Sequence, residues 1–416
     1  MRPLNLFLIG TLLAQVPYFI WFFYGANQSY SFAVTYNPLI IWIIGFCGLV
    51  LGSTTAFRFI GSIGNEADSS IKFISGELFI DENKVYWLAF GLAFLIFVVN
   101  YINYGGIPLL GYLDGGESVG DVNDRQETAL YGVLGATIAA LFVVNALFVW
   151  LLYISFDKKE IHIVDLVKLL FLFAVLFILN SFAGKRQGIF ILFFTAFSYF
   201  IIKKDASGGK KGWDFWNWRI KDFSGFIIGG VSILVLIFVF SWLSSLRVRR
   251  EFELWEGAGG LVSYLEFPLI NFEVQCESQL NGHGGQNPLG PLKSFIPYKT
   301  MVAMTEFHQD AAPRAEAGIG AGMWGDLYWY WGISGVAGVS FLIGFFYQWL
   351  YRKALQSDVA KLCYAHAAWT LIAANSYCHF MSPIFFWLPI LGICVSMWFL
   401  QKKSEVISKE IKINND

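Results

Sequence analysis

Apolar residues run along this chain in long unbroken stretches, and the charges collect in the gaps between them. A helix needs about 20 mostly apolar residues to cross a bilayer. Ten stretches meet or approach that length: 4–24, 38–57, 85–104, 129–154, 165–182, 187–202, 223–245, 326–350, 359–378 and 384–400. The fifth and sixth are short and are parted only by Ser181-Phe-Ala-Gly-Lys-Arg-Gln-Gly188. The first is too long for the apolar region of a signal peptide, and no A-x-A site follows it, so it reads as a retained helix. The pattern predicts an all-α polytopic membrane protein of about ten transmembrane helices. It forms one integral domain over 1–416, with an outer loop at 105–128 and one long loop at 246–325.

Composition sharpens this. The chain is 56% hydrophobic and 14% charged, where a soluble domain carries about 25% charged residues. That balance excludes a soluble enzyme, a disordered chain and a nucleic-acid binder. Formal net charge is -1 and decides nothing, but placement does. Lys72, Lys84, Lys158, Lys159, Lys203, Lys204, Lys210, Lys211, Lys221, Arg352, Lys353, Lys402 and Lys403 fall on one side of the predicted topology. Cationic loops face the cytoplasm, so an even number of spans leaves both termini there. The aromatic run Trp213-Asp-Phe-Trp-Asn-Trp-Arg219 suits the membrane interface on that side.

The two cation types divide differently. Of 19 Lys only Lys185, Lys293 and Lys299 fall outside, whereas six of 10 Arg do: Arg125, Arg186, Arg247, Arg249, Arg250 and Arg314. Arg carries a planar fork of donors that matches phosphate oxygens and never deprotonates. Ordinary loop salt bridges are the alternative, since 246–325 also carries nine acidic residues.

Nucleotide, metal and nucleophile signatures are missing. There is no G-x-x-x-x-G-K-[ST], no D-x-D, no zinc spacing among His and Cys, and no G-x-S-x-G. Glu66-Ala-Asp68 falls on a predicted cytoplasmic loop and reads as solvated. Ionisable groups inside spans are few, with Lys168 near an inner end and His366 alone in the ninth span, too few for an ion-coupled transporter. Cys276 and Cys378 both fall on the outer side, where a disulfide could join them; buried free thiols are the alternative.

The outer segments carry the candidate chemistry. Gly184-Lys-Arg-Gln-Gly188 is a tight turn at a helix N-terminus, whose partial positive charge makes two neighbouring cations locally unfavourable. An anion between them would relieve the conflict. Alternatively, Lys185 and Arg186 cap the preceding helix and snorkel into headgroups. Arg247, Arg249 and Arg250 follow the seventh span, and Arg247 and Arg250 share a face at i,i+3. Gly318-Ile-Gly-Ala-Gly-Met-Trp-Gly325 leads into the eighth span with its helix N-terminus facing outward, and Asp326 suits the N-cap. In the 105–128 loop, Asp114, Glu117, Asp121 and Asp124 make an acidic surface. The long loop places His308, Glu266, Glu273 and Asp310 among aromatics, a surface suited to sugar rings. Any of these groups could take a hydroxyl proton.

The GKRQG turn between short helices, the Arg cluster opening a long loop, the Gly-Gly-Ile-Pro-Leu start of the 105–128 loop and the segment GIGAGMWGDLYWYWGISGVAGVSFLIGFFYQWLYRKAL together resemble the oligosaccharide repeat-unit polymerases (Wzy-type, O-antigen and related). The resemblance implies a GT-C-like, inverting membrane glycosyltransferase in the bacterial inner membrane, with its active site facing the periplasm. It would move a growing glycan from undecaprenyl diphosphate to the non-reducing end of an incoming undecaprenyl-diphosphate-linked repeat. Lys185, Arg186, Arg247, Arg249, Arg250, Arg125 and Arg314 would hold the diphosphate. His308, Glu266, Glu273 or the diphosphate itself would take the proton. No cofactor or metal is implied. Membrane lipids and the flippase and chain-length regulator of the same pathway are the implied partners. An O-antigen ligase, transferring to lipid A core, and a lipid-linked oligosaccharide flippase are the rival functions.

Overall fold

The computed structural model describes residues 2–12, 36–63, 81–113, 131–157, 162–182, 187–206, 322–375 and 382–400, with 238, 239, 241, 242, 245 and 380. Regular structure among them is all helical: α1 Pro3–Leu12, α2 Tyr36–Ile63, α3 Glu82–Tyr104, α4 Pro108–Leu113, α5 Tyr131–Asp157, α6 Ile163–Ser181, α7 Gln187–Ala206, α8 Gly322–Ala354, α9 Asp358–Ile372 and α10 Leu388–Leu400. Five helices are long and apolar enough to cross a membrane: Ile40–Phe59, Glu82–Tyr104, Gly135–Phe156, Ile163–Ser181 and Gly322–Ala354. By helix length and hydropathy this is a multi-pass membrane protein.

Side-chain exposure agrees with a lipid surround. Ile163, Val164, Leu166, Val167 and Leu170 leave a continuous apolar face of α6 uncovered, as do Trp87, Phe94, Leu95 and Ile102 on α3. In water such faces would be costly; in a bilayer they meet acyl chains. α5 is the central helix: 72% of its apolar stretch is buried, against 28% for α3 and α6.

Lipid tails are as apolar as leucine, so helices gain by close backbone approach at small residues. The α2–α8 pair is built this way. A Cβ on Gly52 would lie 2.0 Å from the Phe341 carbonyl oxygen, and one on Gly344 2.1 Å from that of Leu49. Ser53 Oγ donates to the Gly344 carbonyl at 3.1 Å, which closes the seam. The two helices run parallel, since Gly48 meets Ala337 and the Arg352 guanidinium covers the Phe57 ring at 4.1 Å. α7 and α9 run antiparallel, joining Lys203 to Asp358 at 3.2 Å. α8 and α9 are coupled by the buried Tyr347–Thr370 hydroxyl pair.

Four sequence expectations change. The eighth span is not one straight helix over 326–350. Gly332 has φ 64 and ψ -158, a conformation open to glycine alone, and the chain folds back there. Trp324 and Ser340, each eight residues from Gly332, are joined by Trp324 Nε1–H donating to Ser340 Oγ at 3.0 Å. A straight helix would separate them by about 24 Å. The glycine-rich entry is therefore not an outward-facing helix start. Its described part, Gly322 to Gly325, is buried, and the arm 322–331 runs against the direction of 333–354. Asp326 is not the N-cap, because the helix begins four residues earlier. The ninth helix ends at Ile372, in a short 3-10 turn Ala373–Asn375, rather than at 378. A π turn Pro383–Trp387 then precedes α10.

Candidate functional site

Lys185, Arg186, Arg247, Arg249, Arg250, Arg125 and Arg314, and the bases His308, Glu266 and Glu273, all lie outside the described residues. So do Cys276 and Cys378, Glu66 and Asp68, the acidic residues of the 105–128 loop, and Asp310. The stems that carry several of these segments are described, and they are specific.

α3 ends at two glycines. Gly105 takes the left-handed conformation (φ 66, ψ 24), and the amides of Gly105 and Gly106 donate to the carbonyls of Ile102 and Tyr101. Only glycine takes this turn without strain. Pro108 then starts α4, where its missing N–H costs nothing. The Leu109 amide donates to the Phe182 carbonyl at 3.1 Å, which ties the start of the 105–128 loop to the end of α6.

The α6–α7 turn, which carries Lys185 and Arg186, is held at its base by a buried amide pair. Asn145 Nδ2 donates to Asn180 Oδ1 at 3.1 Å, and Asn180 Nδ2 returns a bond to Asn145 Oδ1 at 3.0 Å. Asn180 Nδ2 also reaches the Leu176 carbonyl at 2.8 Å. Gly188 opens α7 directly against this pair, and a Cβ there would sit 2.6 Å from Asn180 Oδ1. A reciprocal amide pair satisfies four polar atoms that would otherwise be stranded in an apolar interior.

A third stem joins these two. Val239 and Trp242, from the segment that precedes Arg247, pack with Ile107, Leu109, Phe177, Ile189 and Phe193 in one apolar cluster. The cluster thus roots the 105–128 loop, the Lys185–Arg186 turn and the approach to Arg247 at one place. Sequence spacing does not announce this, because 109, 189 and 242 are far apart along the chain.

The opposite end of the bundle is polar. Asp358 is bonded by Lys361 at 2.8 Å and by Lys203 at 3.2 Å. Burial pushes the Asp358 carboxyl up, but the hydrogen bonds and charges of Lys361 and Lys203 outweigh it and hold it below its ordinary value of 3.8. Lys168, which the sequence places near an inner end, has company in the fold: Nζ donates to Asn83 Oδ1 at 3.0 Å and lies 5.8 Å from the centre of the Tyr86 ring. His366 is fully buried beside Phe142. It bonds the Phe385 carbonyl through Nε2 at 3.0 Å, and since a carbonyl only accepts, Nε2 carries the hydrogen. Cys363 and Cys394, which show no metal spacing in the sequence, bring their sulfurs to 3.6 Å across α9 and α10. No family model, curated protein or solved structure matches this chain.

Proposed function

We propose that this chain polymerises lipid-linked oligosaccharides, moving the growing glycan from undecaprenyl diphosphate to the non-reducing end of an incoming lipid-linked repeat. The reading takes its substrate class from the family resemblance of the sequence. The observation that supports it is the shared root of three segments in the Leu109–Ile189–Trp242 cluster. A diphosphate with several charges needs cations delivered from several segments to one place, and Arg125, Arg186 and Arg247 sit on those segments.

In this proposal ten spans form a GT-C-like bundle in the bacterial inner membrane, with the Lys-rich ends cytoplasmic and the rooted segments periplasmic. Arg186 with Lys185, and Arg247 with its neighbours, hold the donor diphosphate and offset the charge that grows on it as it leaves. The acceptor hydroxyl oxygen attacks the anomeric carbon. The bond from that carbon to the phosphate oxygen breaks, and its electron pair goes to the departing diphosphate. The hydroxyl proton passes to His308, Glu266 or Glu273, or to the diphosphate. A single displacement inverts the anomeric centre, and the energy comes from the sugar–diphosphate bond.

Purified protein given synthetic polyprenyl-diphosphate oligosaccharide should yield a ladder of longer lipid-linked products. Arg186→Ala and Arg247→Ala should each cut the rate by about 100-fold or more, the scale for removing one charge-stabilising donor, with the fold intact. A matched substrate that yields no ladder would sink the polymerase reading. A ladder that survives both substitutions would keep the function and discard this diphosphate site.

A further inference from the structure

At the polar end of α3, α5 and α6 lies an open pocket of about 300 Å³, whose lining includes Asp81, Glu82, Asn83, Ser155, Asp165 and Lys168. That volume is at the lower end of the range for a small-molecule site. The mechanism above uses none of these residues. We propose that the pocket binds the headgroup of a zwitterionic phospholipid bearing a primary ammonium, such as phosphatidylethanolamine.

Charge is the first argument. Among the described residues the pocket presents three carboxylates and one ammonium, so a group carrying both signs finds a partner for each. Lys168 spends one of its donors on Asn83 and keeps two for phosphate oxygens. Asp165, three residues before Lys168, makes no side-chain hydrogen bond or ion pair with any described residue, and its oxygens are free for a lipid ammonium. Ser155 is the second, independent sign of a missing partner. The residue is 6% exposed, lines the pocket, and makes no side-chain hydrogen bond among the described residues, so its hydroxyl is left for whatever fills the pocket.

The surroundings fix the ligand as a lipid rather than a soluble zwitterion. The pocket sits where three helix ends meet, at headgroup level for helices of this length. The uncovered apolar faces of α3 and α6 descend from it, with Trp87, Val167, Leu170 and Phe171 exposed. Phe90 and Phe171 pair across the two helices at 5.8 Å, giving acyl chains a continuous aromatic wall.

Native mass spectrometry of the full chain in detergent tests this, with phosphatidylethanolamine and phosphatidylglycerol titrated in parallel. Wild type should retain phosphatidylethanolamine about five- to ten-fold more strongly, the scale of one ordinary net hydrogen bond. Asp165→Asn should remove that preference by weakening phosphatidylethanolamine alone. Lys168→Gln should weaken both lipids, since both carry the phosphate. Ser155→Ala, a small change within the helix, should lower phosphatidylethanolamine retention, and it keeps the test decisive where a charge variant does not fold. Equal retention of the two lipids by wild type would overturn the proposal, as would a preference unchanged in all folded variants.

Discussion

Asn180 shows how one residue can fix the place where two helices meet. Its amide pairs with Asn145, and Gly188 fits against it only because it lacks a Cβ. Asn180→Leu leaves the Asn145 amide stranded and should cost about 1–2 kcal/mol. Replacing both asparagines by leucine should recover part of that loss, because no polar atom is then orphaned; thermal unfolding of the two single variants and the double variant in detergent checks it. Asp358 makes the residue-scale prediction for pH. Its folded pKa lies below the ordinary 3.8, so its ion pairs add stability that is present above that value and lost as pH falls through the folded pKa. Midpoints measured between about pH 6 and pH 2 should fall less steeply for Asp358→Asn than for wild type. Equal slopes would mean that the Lys203 and Lys361 contacts contribute nothing.

At the scale of elements, the sequence and the fold part company most clearly in α8. Hydropathy sees a long apolar run with several glycines and makes it one span. The run splits because Gly332 adopts a conformation closed to other residues and because Trp324 finds a place on the far side of the turn. Its indole packs on Phe7 and Trp42 at 5.2 and 5.1 Å and over Gly45, where a Cβ would come within 2.0 Å. Gly332→Ala, which cannot hold φ 64 without strain, should cost about 1–3 kcal/mol, read as a lower thermal midpoint in detergent. A straight helix through this position would instead gain stability from the alanine. The opposite lesson comes from α6 and α7. The sequence marks them as a short pair around a tight turn, and the structure forms them at Ile163–Ser181 and Gln187–Ala206, within a few residues of the expected limits.

On the whole-molecule scale, helix directions agree with the distribution of lysine. Parallel α2 and α8 place Phe57 with Arg352, and antiparallel α7 and α9 place Lys203 with Asp358. Both pairs gather cations at one end, as the positive-inside rule expects of the cytoplasmic face. Single cysteines test the proposed orientation. In intact cells with a permeable outer membrane, Leu110→Cys on α4 should react with a membrane-impermeant maleimide, and Gln356→Cys, between α8 and α9, should react only after lysis. The reverse pattern would invert the topology and place the rooted segments in the cytoplasm.

The sequence by itself determined the material of this protein: helices, membrane, and the limits of spans such as 85–104 and 129–154. Spans are legible because apolar length is a local property, summed along the chain. The candidate site was legible only as residue types on separate loops, Arg186 here and Arg247 there. What tertiary structure decided was adjacency: Leu109 against Ile189 and Trp242, Asn145 against Asn180, Cys363 against Cys394, Lys168 against Asn83. It also decided the fold-back at Gly332, since the glycine permits the turn and contacts across it, Trp324 with Ser340 among them, hold it closed. Contacts between distant residues depend on which helix faces meet. In a uniformly apolar chain hydropathy does not choose among faces; the small residues and buried polar pairs do.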